Sequence, residues 1–401
     1  MSATMQRDRR LRTALARTVL GVALGAFATL VAACSSFSGG DMAPAPIAAA
    51  PSAAPAGPGQ VRVGLILPLS ATGNAGLAAQ SMKNAADMAL AEFNNPNIQL
   101  LVKDDAGTAQ GAQQATQQAL DEGAEIILGP LFAHSVGAAA QLARQRGVPV
   151  IAFSTDANVA ASGVYLLSFL PESDVDRVVD YALANGKRSF AALVPDNAYG
   201  SVVDAEFRQV VGRRGGRVIA LEHYPPDKTQ MLDAVKRVAV AARQADTIFI
   251  PDGADTLPAV VQALAANGVD PHHIQLMGTG LWDDARLFAD GSLQGGWFAA
   301  PDSAGYRNFA ARYRRRFGQD PVRTSTLTYD AVSLVAALVK TQGPQRFSAE
   351  VLTNPSGFSG IDGIFRFRSD GTNQRGLAVL RIAPSGGEVI SAAPRAFSSG
   401  T

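Results

Sequence analysis

The stretch VRVGLILPL at residues 61–69 begins the folded pattern of the chain and decides its class. Its residues are almost all apolar, whereas a strand with one face in water alternates apolar and polar side chains. We therefore predict a buried strand here. The residues that follow place apolar side chains three or four positions apart, which predicts one buried face of a helix; they are Ala78, Met82, Ala85, Ala89 and Phe93.

The same strand and helix unit recurs along most of the chain. Apolar runs that predict buried strands alternate with segments of helical spacing, and the clearest runs are IQLLVKD (98–104), EIILG (125–129), VPVIAF (148–153), SFAALVP (189–195) and DTIFIP (246–251). Such alternation predicts an α/β fold, with parallel sheets that helices cover on both faces.

Two features favour two open sheets over a closed (β/α)8 barrel, which would show the same alternation. Two consecutive helices are predicted near 305–317 and 325–341, with no strand between them. The segment GIFRFRSDGTNQRGLAVLRI (363–382) then predicts a hairpin, because Asp370-Gly371 is a turn pair between alternating segments.

The N-terminus has the pattern of a secretion sequence. Five arginines precede or enter an apolar run, Thr18 to Ala33, which is short for a membrane-spanning helix and typical of a signal peptide. The run ends at Leu-Val-Ala-Ala-Cys34, which resembles the lipobox of bacterial lipoproteins and implies lipid attachment at Cys34. Residues 34–60 are rich in Ala, Pro, Ser and Gly, and predict a flexible tether.

Composition and motifs indicate binding rather than catalysis. The 401 residues carry a net charge of only +1, so no nucleic-acid surface is predicted. Cys34 is the only cysteine and excludes an intramolecular disulfide. No HExxH, GxSxG, P-loop or GxGxxG pattern occurs, and we predict no catalytic residue, metal or cofactor. The pair Asp104-Asp105 is interpreted as capping the next helix rather than as a cation site.

Polar residues cluster just after the predicted strands. In open parallel sheets small ligands bind outside the carboxyl ends of the strands. Hydroxyls, carboxylates and aromatic rings at these positions can hold a small polar molecule without transforming it, and helix N-termini attract anionic groups. The candidate ligand-binding residues are Ser70, Thr72, Ser135, Ser154, Thr155, Asp156, Tyr199, Trp282 and Asp283.

Several stretches together resemble the type I periplasmic binding proteins of the leucine/isoleucine/valine-binding family. They are VGLILPLSATG (63–73), KDDAGTAQGA (103–112), ILGPLFAHS (127–135), VPVIAFS (148–154), PDNAYG (195–200), TYDAVSLVAAL (328–338) and FSGIDGIFRF (358–367). The resemblance implies two Rossmann-like lobes joined by three crossings, with the ligand in the cleft between them. It assigns residues 61–172 and 303–355 to lobe 1, and residues 173–302 and 356–395 to lobe 2.

The family's binding residues carry over in part. Tyr199 matches the cleft tyrosine, and Ser154-Thr155-Asp156 lies where the family binds the charged ends of an amino acid. Ala133 stands where a serine is usual, and Thr279-Gly280 stands where an acid is usual. The chain is also similar to the C-terminal domain of penicillin-binding-protein activator lipoproteins, which have the same fold and a lipobox.

These resemblances imply two functions. The first is a lipid-anchored receptor on the periplasmic face of a bacterial membrane, which delivers an amino acid or similar small polar solute to an inner-membrane ABC permease. The alternative is an activator that contacts a peptidoglycan synthase. An enzyme is the third and least favoured interpretation.

Overall fold

The computed structural model describes residues 59–93, 97–225, 227–270 and 273–397. The predicted signal peptide (1–33), Cys34 and nearly all of the predicted tether (34–60) lie outside these ranges. Within the described ranges, no helix is both long enough and apolar enough to cross a membrane.

The first part of the chain forms a parallel sheet between helices. Its strands are β1 (Val61–Leu67), β2 (Ile98–Asp104), β3 (Ile126–Leu128), β4 (Val150–Ala152) and β5 (Val164–Leu166), and its helices are α1 (Gly73–Glu92), α2 (Ala109–Asp121) and α3 (Ala133–Gln145). The spatial order is β2-β1-β3-β4-β5, and all pairs are parallel. Helix α1 packs on one face of this sheet, while α2 and α3 pack on the other. Both faces are buried, which is why the strands are continuous apolar runs.

The middle of the chain builds a second lobe in the same way. Its elements, in chain order, are α4 (Pro171–Ala184), β6 (Ser189–Pro195), α5 (Ala198–Arg213), β7 (Arg217–Tyr224), α6 (Lys228–Ala242), β8 (Thr247–Phe249), α7 (Leu257–Ala266), β9 (Gln275–Gly278), α8 (Ala285–Phe288) and β10 (Trp297–Ala300). The five strands pair in parallel, and their side chains form a core separate from that of lobe 1.

The chain then returns to lobe 1 through two consecutive helices, as predicted. They are α9 (Ser303–Phe317) and α10 (Ser325–Thr341), followed by the short α11 (Ala349–Leu352). Ser81 of α1 links all three long helices, because its hydroxyl lies 3.1 Å from the Tyr313 hydroxyl and 2.7 Å from the Ser325 hydroxyl. All three residues are buried.

The last part of the chain contributes to both lobes. A small antiparallel sheet contains β11 (Phe358–Gly360), β12 (Gly363–Phe367) and β13 (Asn373–Arg375), and two further strands are β14 (Ala378–Ala383) and β15 (Gly386–Ser391). Strands β14 and β15 extend the lobe 2 sheet by antiparallel pairing, which gives the order β15-β14-β10-β9-β8-β6-β7. The structure thus confirms the predicted α/β class with two lobes, and its two sheets are open rather than one closed barrel.

One predicted lobe boundary differs from the structure. The resemblance assigns residues 356–395 to lobe 2, but β12 and β13 pack on lobe 1. The ring centroids of Phe367 and Tyr165 are 5.4 Å apart, and the Leu166 amide donates to the Gly371 carbonyl over 2.8 Å. The hairpin follows lobe 1 because its buried aromatic side chains complete that core. The third crossing therefore lies between β13 and β14 rather than near residue 356.

Candidate functional site

A cavity of about 870 Å³ lies between the two lobes. Its walls come from the loop after β4, the crossing before α4, the start of α5, the loop after β9, the end of β10 and the residues before α10. Five of these segments follow the carboxyl ends of parallel strands, which is where small ligands bind in open parallel sheets. The cavity is thus at the place that the sequence predicts for a ligand.

The loop after β4 supplies Thr155 and Asp156 from lobe 1. Ser154 is buried, and its hydroxyl accepts a hydrogen bond from the Asp156 amide over 3.1 Å. The Asp156 carboxylate accepts from the amide of Asn158 over 3.0 Å and from its side chain over 2.9 Å. Ser154 therefore holds the loop in shape, while Thr155, Asp156 and Asn158 line the cavity.

Tyr199 lines the opposite wall, in the first turn of α5. Asn197 starts this helix, because its side chain accepts from the Gly200 amide over 2.8 Å. The Tyr199 hydroxyl lies 2.7 Å from the Thr279 hydroxyl, and Thr279 is buried. Burial raises the pKa of Tyr199 above its usual value. With its hydroxyl paired inside lobe 2, Tyr199 offers the cavity mainly its ring.

Two carboxylates of lobe 2 stand in the cavity wall. One oxygen of Asp174 accepts from the Gly280 amide over 2.9 Å, and burial raises the pKa of Asp174 to about 7. Asp283 has an exposed side chain in the cleft. The surrounding protein atoms desolvate it and raise its pKa, against the opposing effect of the Arg323 guanidinium. Both groups are thus easier to protonate than carboxylates in water.

Arg323 is the only cation lining this cavity among the described residues. Its two terminal nitrogens donate to the two oxygens of Asp362 over 3.0 and 2.6 Å. Its guanidinium carbon lies 4.7 Å from the ring centroid of Phe169 and 4.6 Å from that of Tyr306. The group is therefore held by a buried carboxylate and by two aromatic rings.

The rest of the wall is largely apolar. Phe169 and Pro171 belong to the crossing between lobes, and small or aliphatic residues of lobe 2 complete the surface. Those residues are Ala198, Val202, Leu281, Ala300 and Pro301. A cavity of this size with mostly apolar walls and a few polar groups suits a small organic molecule.

Trp282 is a correction to the predicted set. Its side chain is fully buried in the lobe 2 core, and its indole nitrogen donates to the Ile250 carbonyl over 3.0 Å. The ring packs directly on Gly278 and Gly296, where an added Cβ would lie 2.1 and 2.8 Å from it. Trp282 therefore supports the loop that carries Leu281 and Asp283, and does not line the cavity.

Three further candidates also lie outside the cavity lining. Ser135 is buried, and its hydroxyl donates to the Thr108 carbonyl over 3.3 Å. Thr72 is the residue immediately before α1. Ser70 lies two residues earlier, and its amide donates to a carboxylate oxygen of Asp104 over 3.2 Å. Ser70 and Thr72 lie in the loop after β1, and Ser135 lies in the first turn of α3.

Sequence reasoning missed Phe169, Asp174 and Arg323. Asp174 has the appearance of an ordinary acidic residue in the first turn of a helix. Phe169 lies just before α4 and Arg323 just before α10, in short connecting segments where no sequence motif indicates a binding role. Their chemistry becomes visible only when the lobes are assembled.

No metal site accompanies these residues. Within the described ranges, no group of three or more His, Cys, Asp or Glu side chains is arranged to hold an ion.

Comparison with known proteins identifies one family. The profile of the family described as "Periplasmic binding protein" matches residues 60–388. No curated protein matches the chain.

Solved structures share the fold at low identity. A protein from Rhodospirillum rubrum, assigned to a branched-chain amino acid ABC transporter, is 19% identical with a TM-score of 0.74, over 82% of this chain and 100% of that one. A solute-binding protein from Rhodopseudomonas palustris BisB5, in complex with 3,4-dihydroxybenzoic acid, is 22% identical with a TM-score of 0.60, over 85% and 98%. A substrate-binding protein from Desulfitobacterium hafniense, in complex with leucine, is 17% identical with a TM-score of 0.60, over 82% and 100%.

Proposed function

The chain belongs to the periplasmic binding protein family, and on that premise we propose that it binds a small, amino-acid-like solute between its lobes for uptake by an ABC transporter. The observation that carries the proposal is the cavity whose walls come from both lobes. Thr155 and Asp156 of lobe 1 face Tyr199 and Asp283 of lobe 2 across it. A ligand that contacts both walls favours the closed arrangement of the lobes, because it gains contacts there that the open arrangement lacks.

The chemistry of the walls supports reversible binding. Carboxylates, a hydroxyl and aromatic surface converge on the cavity, while no nucleophile with an adjacent base was found among its lining residues. Similar folds hold leucine or 3,4-dihydroxybenzoic acid in solved structures. Both molecules are small enough for a cavity of about 870 Å³.

We further propose that the protein is lipid-anchored on the periplasmic face of a bacterial membrane. The support is the sequence Leu-Val-Ala-Ala-Cys34 at the end of an apolar run, followed by an Ala/Pro-rich segment of 26 residues, 35–60. Cys34→Ser should move the protein from the membrane fraction to the soluble fraction after cell lysis. Ser35→Ala is the matched control, and it should stay with the membranes. Membrane retention of Cys34→Ser would contradict the anchor.

A thermal-shift panel tests the solute-binding function. A ligand that binds only the native state stabilises it by about 2.7 kcal/mol at a concentration of one hundred times Kd, so one or more solutes should raise Tm clearly. The panel contains the twenty amino acids, their simple amine and acid analogues, and aromatic acids. Tyr199→Ala should reduce the shift, because weaker affinity lowers the stabilisation at the same ligand concentration. No shift with any member, together with co-purification of a peptidoglycan synthase, would replace this proposal by the activator function.

A further inference from the structure

The charges lining the cavity are unequal. Three carboxylates face it, those of Asp156, Asp174 and Asp283, against the single guanidinium of Arg323. A ligand entering this space meets a negative field unless these charges are already paired within the protein. Their partners therefore decide which ligand charge the cavity favours.

Arg323 is largely neutralised by its own neighbours. Asp362 is 1% exposed and accepts two hydrogen bonds from the guanidinium, and it also accepts one from the Thr326 hydroxyl over 2.6 Å. The buried carboxylate requires this cation as its counter-charge. A ligand carboxylate at Arg323 would compete with Asp362 for the same charge.

Asp174 and Asp283 have no comparable partners. Asp174 accepts a single backbone hydrogen bond, from Gly280, and the buried Arg375 guanidinium acts on it without a direct ion pair. No hydrogen bond or ion pair reaches the Asp283 carboxylate from the part of the chain that the structure describes, although Arg323 acts on it at longer range. A desolvated carboxylate without a directly paired cation is costly, so a cationic ligand would stabilise the ionised form of Asp174, and Asp283 offers the same ligand a second, solvent-exposed carboxylate.

The aromatic walls favour the same ligand charge. Phe169 and Tyr199 both line the cavity, and the Tyr199 hydroxyl is already paired with Thr279. The Tyr199 ring is thus the aromatic face that remains for a ligand cation, because the guanidinium carbons of Arg323 and Arg375 already lie 4.7 and 4.6 Å from the Phe169 ring centroid. Aromatic faces attract ammonium groups through the negative charge of their π-systems.

Resting on the proposed solute-binding function, we propose that the solute of this cleft is an organic cation, with an ammonium group on an apolar body and no carboxylate. The ammonium group lies between Asp174 and Asp283, and the apolar body lies against Phe169, Tyr199 and Leu281.

Proton exchange distinguishes this ligand from an acid. Burial, with a smaller contribution from the Glu172 carboxylate, raises the pKa of Asp174 to about 7 against the opposing effect of the Arg375 guanidinium, so this group is partly protonated near neutral pH. A bound cation favours the carboxylate form of Asp174, so binding releases a proton from this group. A bound anion favours the protonated form, so binding is accompanied by proton uptake. Titration calorimetry at pH 7 in two buffers of different ionisation enthalpy gives the sign of this exchange.

Two matched series of probes test the proposal. The first contains 3-methylbutylamine, L-leucine and 4-methylpentanoate, and the second contains 2-phenylethylamine, L-phenylalanine and 3-phenylpropanoate. Within each series the carbon skeleton is shared and only the charged groups differ. We expect the amine of at least one series to bind about tenfold or more tightly than its amino acid and its acid, with proton release.

The outcomes separate this proposal from the function on which it rests. Tighter binding of an amino acid or an acid overturns the cation proposal and leaves solute binding intact. No binding by any probe or by the wider panel overturns both.

Two substitutions test whether the preference for the amine depends on the carboxylates of Asp174 and Asp283. Asp174→Asn and Asp283→Asn preserve side-chain shape, and each should weaken amine binding by about tenfold or more. Asp284→Asn is the matched control, because Asp284 is paired with Arg286, does not line the cavity, and keeps its helix-capping role as asparagine. Unchanged amine affinity in both cavity variants, measured on folded protein, contradicts the proposal.

Discussion

The hydroxyl oxygens of Tyr199 and Thr279 lie 2.7 Å apart. Tyr199 lies in the first turn of α5, and Thr279 follows β9, so this bond joins two segments of lobe 2 at the cavity wall. Thr279 is buried and keeps the pair out of water. The ring of Tyr199 is therefore oriented before a ligand arrives, which lowers the entropy lost on binding.

Removing the Tyr199 hydroxyl should matter less than removing its ring. Tyr199→Phe leaves one buried hydroxyl of Thr279 unpaired and should cost about 1 kcal/mol of unfolding free energy, with affinity for the solute largely kept. Tyr199→Ala removes the wall and should weaken affinity by about tenfold or more. Calorimetric titration with a solute from the panel measures both. Equal losses in the two variants would show that the hydroxyl, not the ring, contacts the solute.

Trp282→Phe should reduce stability rather than binding. The substitution deletes a hydrogen bond to the Ile250 carbonyl and leaves a gap beside Gly278 and Gly296. We expect a loss of about 2 to 3 kcal/mol in denaturant unfolding, from the unpaired carbonyl and the cavity together. Trp297→Phe, at a partly buried site, is the control and should cost less. An affinity loss as large as that of Tyr199→Ala would place Trp282 in the binding site after all.

Asp330 should make stability fall as pH rises. Burial and the nearby Asp362 carboxylate raise the pKa of Asp330 to about 7 from 3.8, and one of its oxygens has no hydrogen-bond partner. The folded state holds this proton more tightly than the unfolded state, so the group's contribution is lost between about pH 4 and 7, by at most about 1.4 kcal/mol per pH unit.

Asp330→Asn should remove that part of the pH dependence. Unfolding curves between pH 4 and 8 should show that the free energy of unfolding of the variant rises relative to that of the wild type as pH rises, with the largest difference above pH 7. The exposed turn residue Asp370 provides the control, Asp370→Asn. A difference from the wild type that stays constant with pH would contradict the assignment.

Arg323→Lys should destabilise the region that joins the lobes. Lysine cannot form the two parallel hydrogen bonds that Asp362 receives or stack on Phe169 and Tyr306. Asp362 is 1% exposed, but the Arg323 side chain is 38% exposed, so the loss should be about 2 kcal/mol rather than that of a fully buried pair.

A surface pair provides the control for Arg323. Arg346 also contacts one carboxylate twice, that of Glu125, and Arg346→Lys should change stability by only about 0.5 kcal/mol. Denaturant unfolding compares the two variants. Equal effects would mean that the Arg323 pair is no more important than a surface ion pair.

The fold class and the location of the cleft follow from patterns that are visible in the sequence alone. Continuous apolar runs such as residues 61–67 require a sheet covered on both faces, and parallel strands bring their carboxyl ends to one edge. That geometry is why Thr155, Asp156, Tyr199 and Asp283, each placed after a strand, were predicted together and do line one cavity. Periodicity along the chain is a local property, and local sequence encodes it.

The folding of the chain in three dimensions determines which of two adjacent residues faces the cavity and which distant residues also line it. Trp282 and Asp283 are adjacent, yet one fills the core and the other enters the cleft, because the backbone of the loop sets their directions. Asp174 and Arg323 reach the cavity through the crossing and the returning helices. The β12–β13 hairpin packs on lobe 1 because its aromatic side chains are part of that hydrophobic core. These contacts depend on residues far apart in the chain, and no spacing within a segment records them.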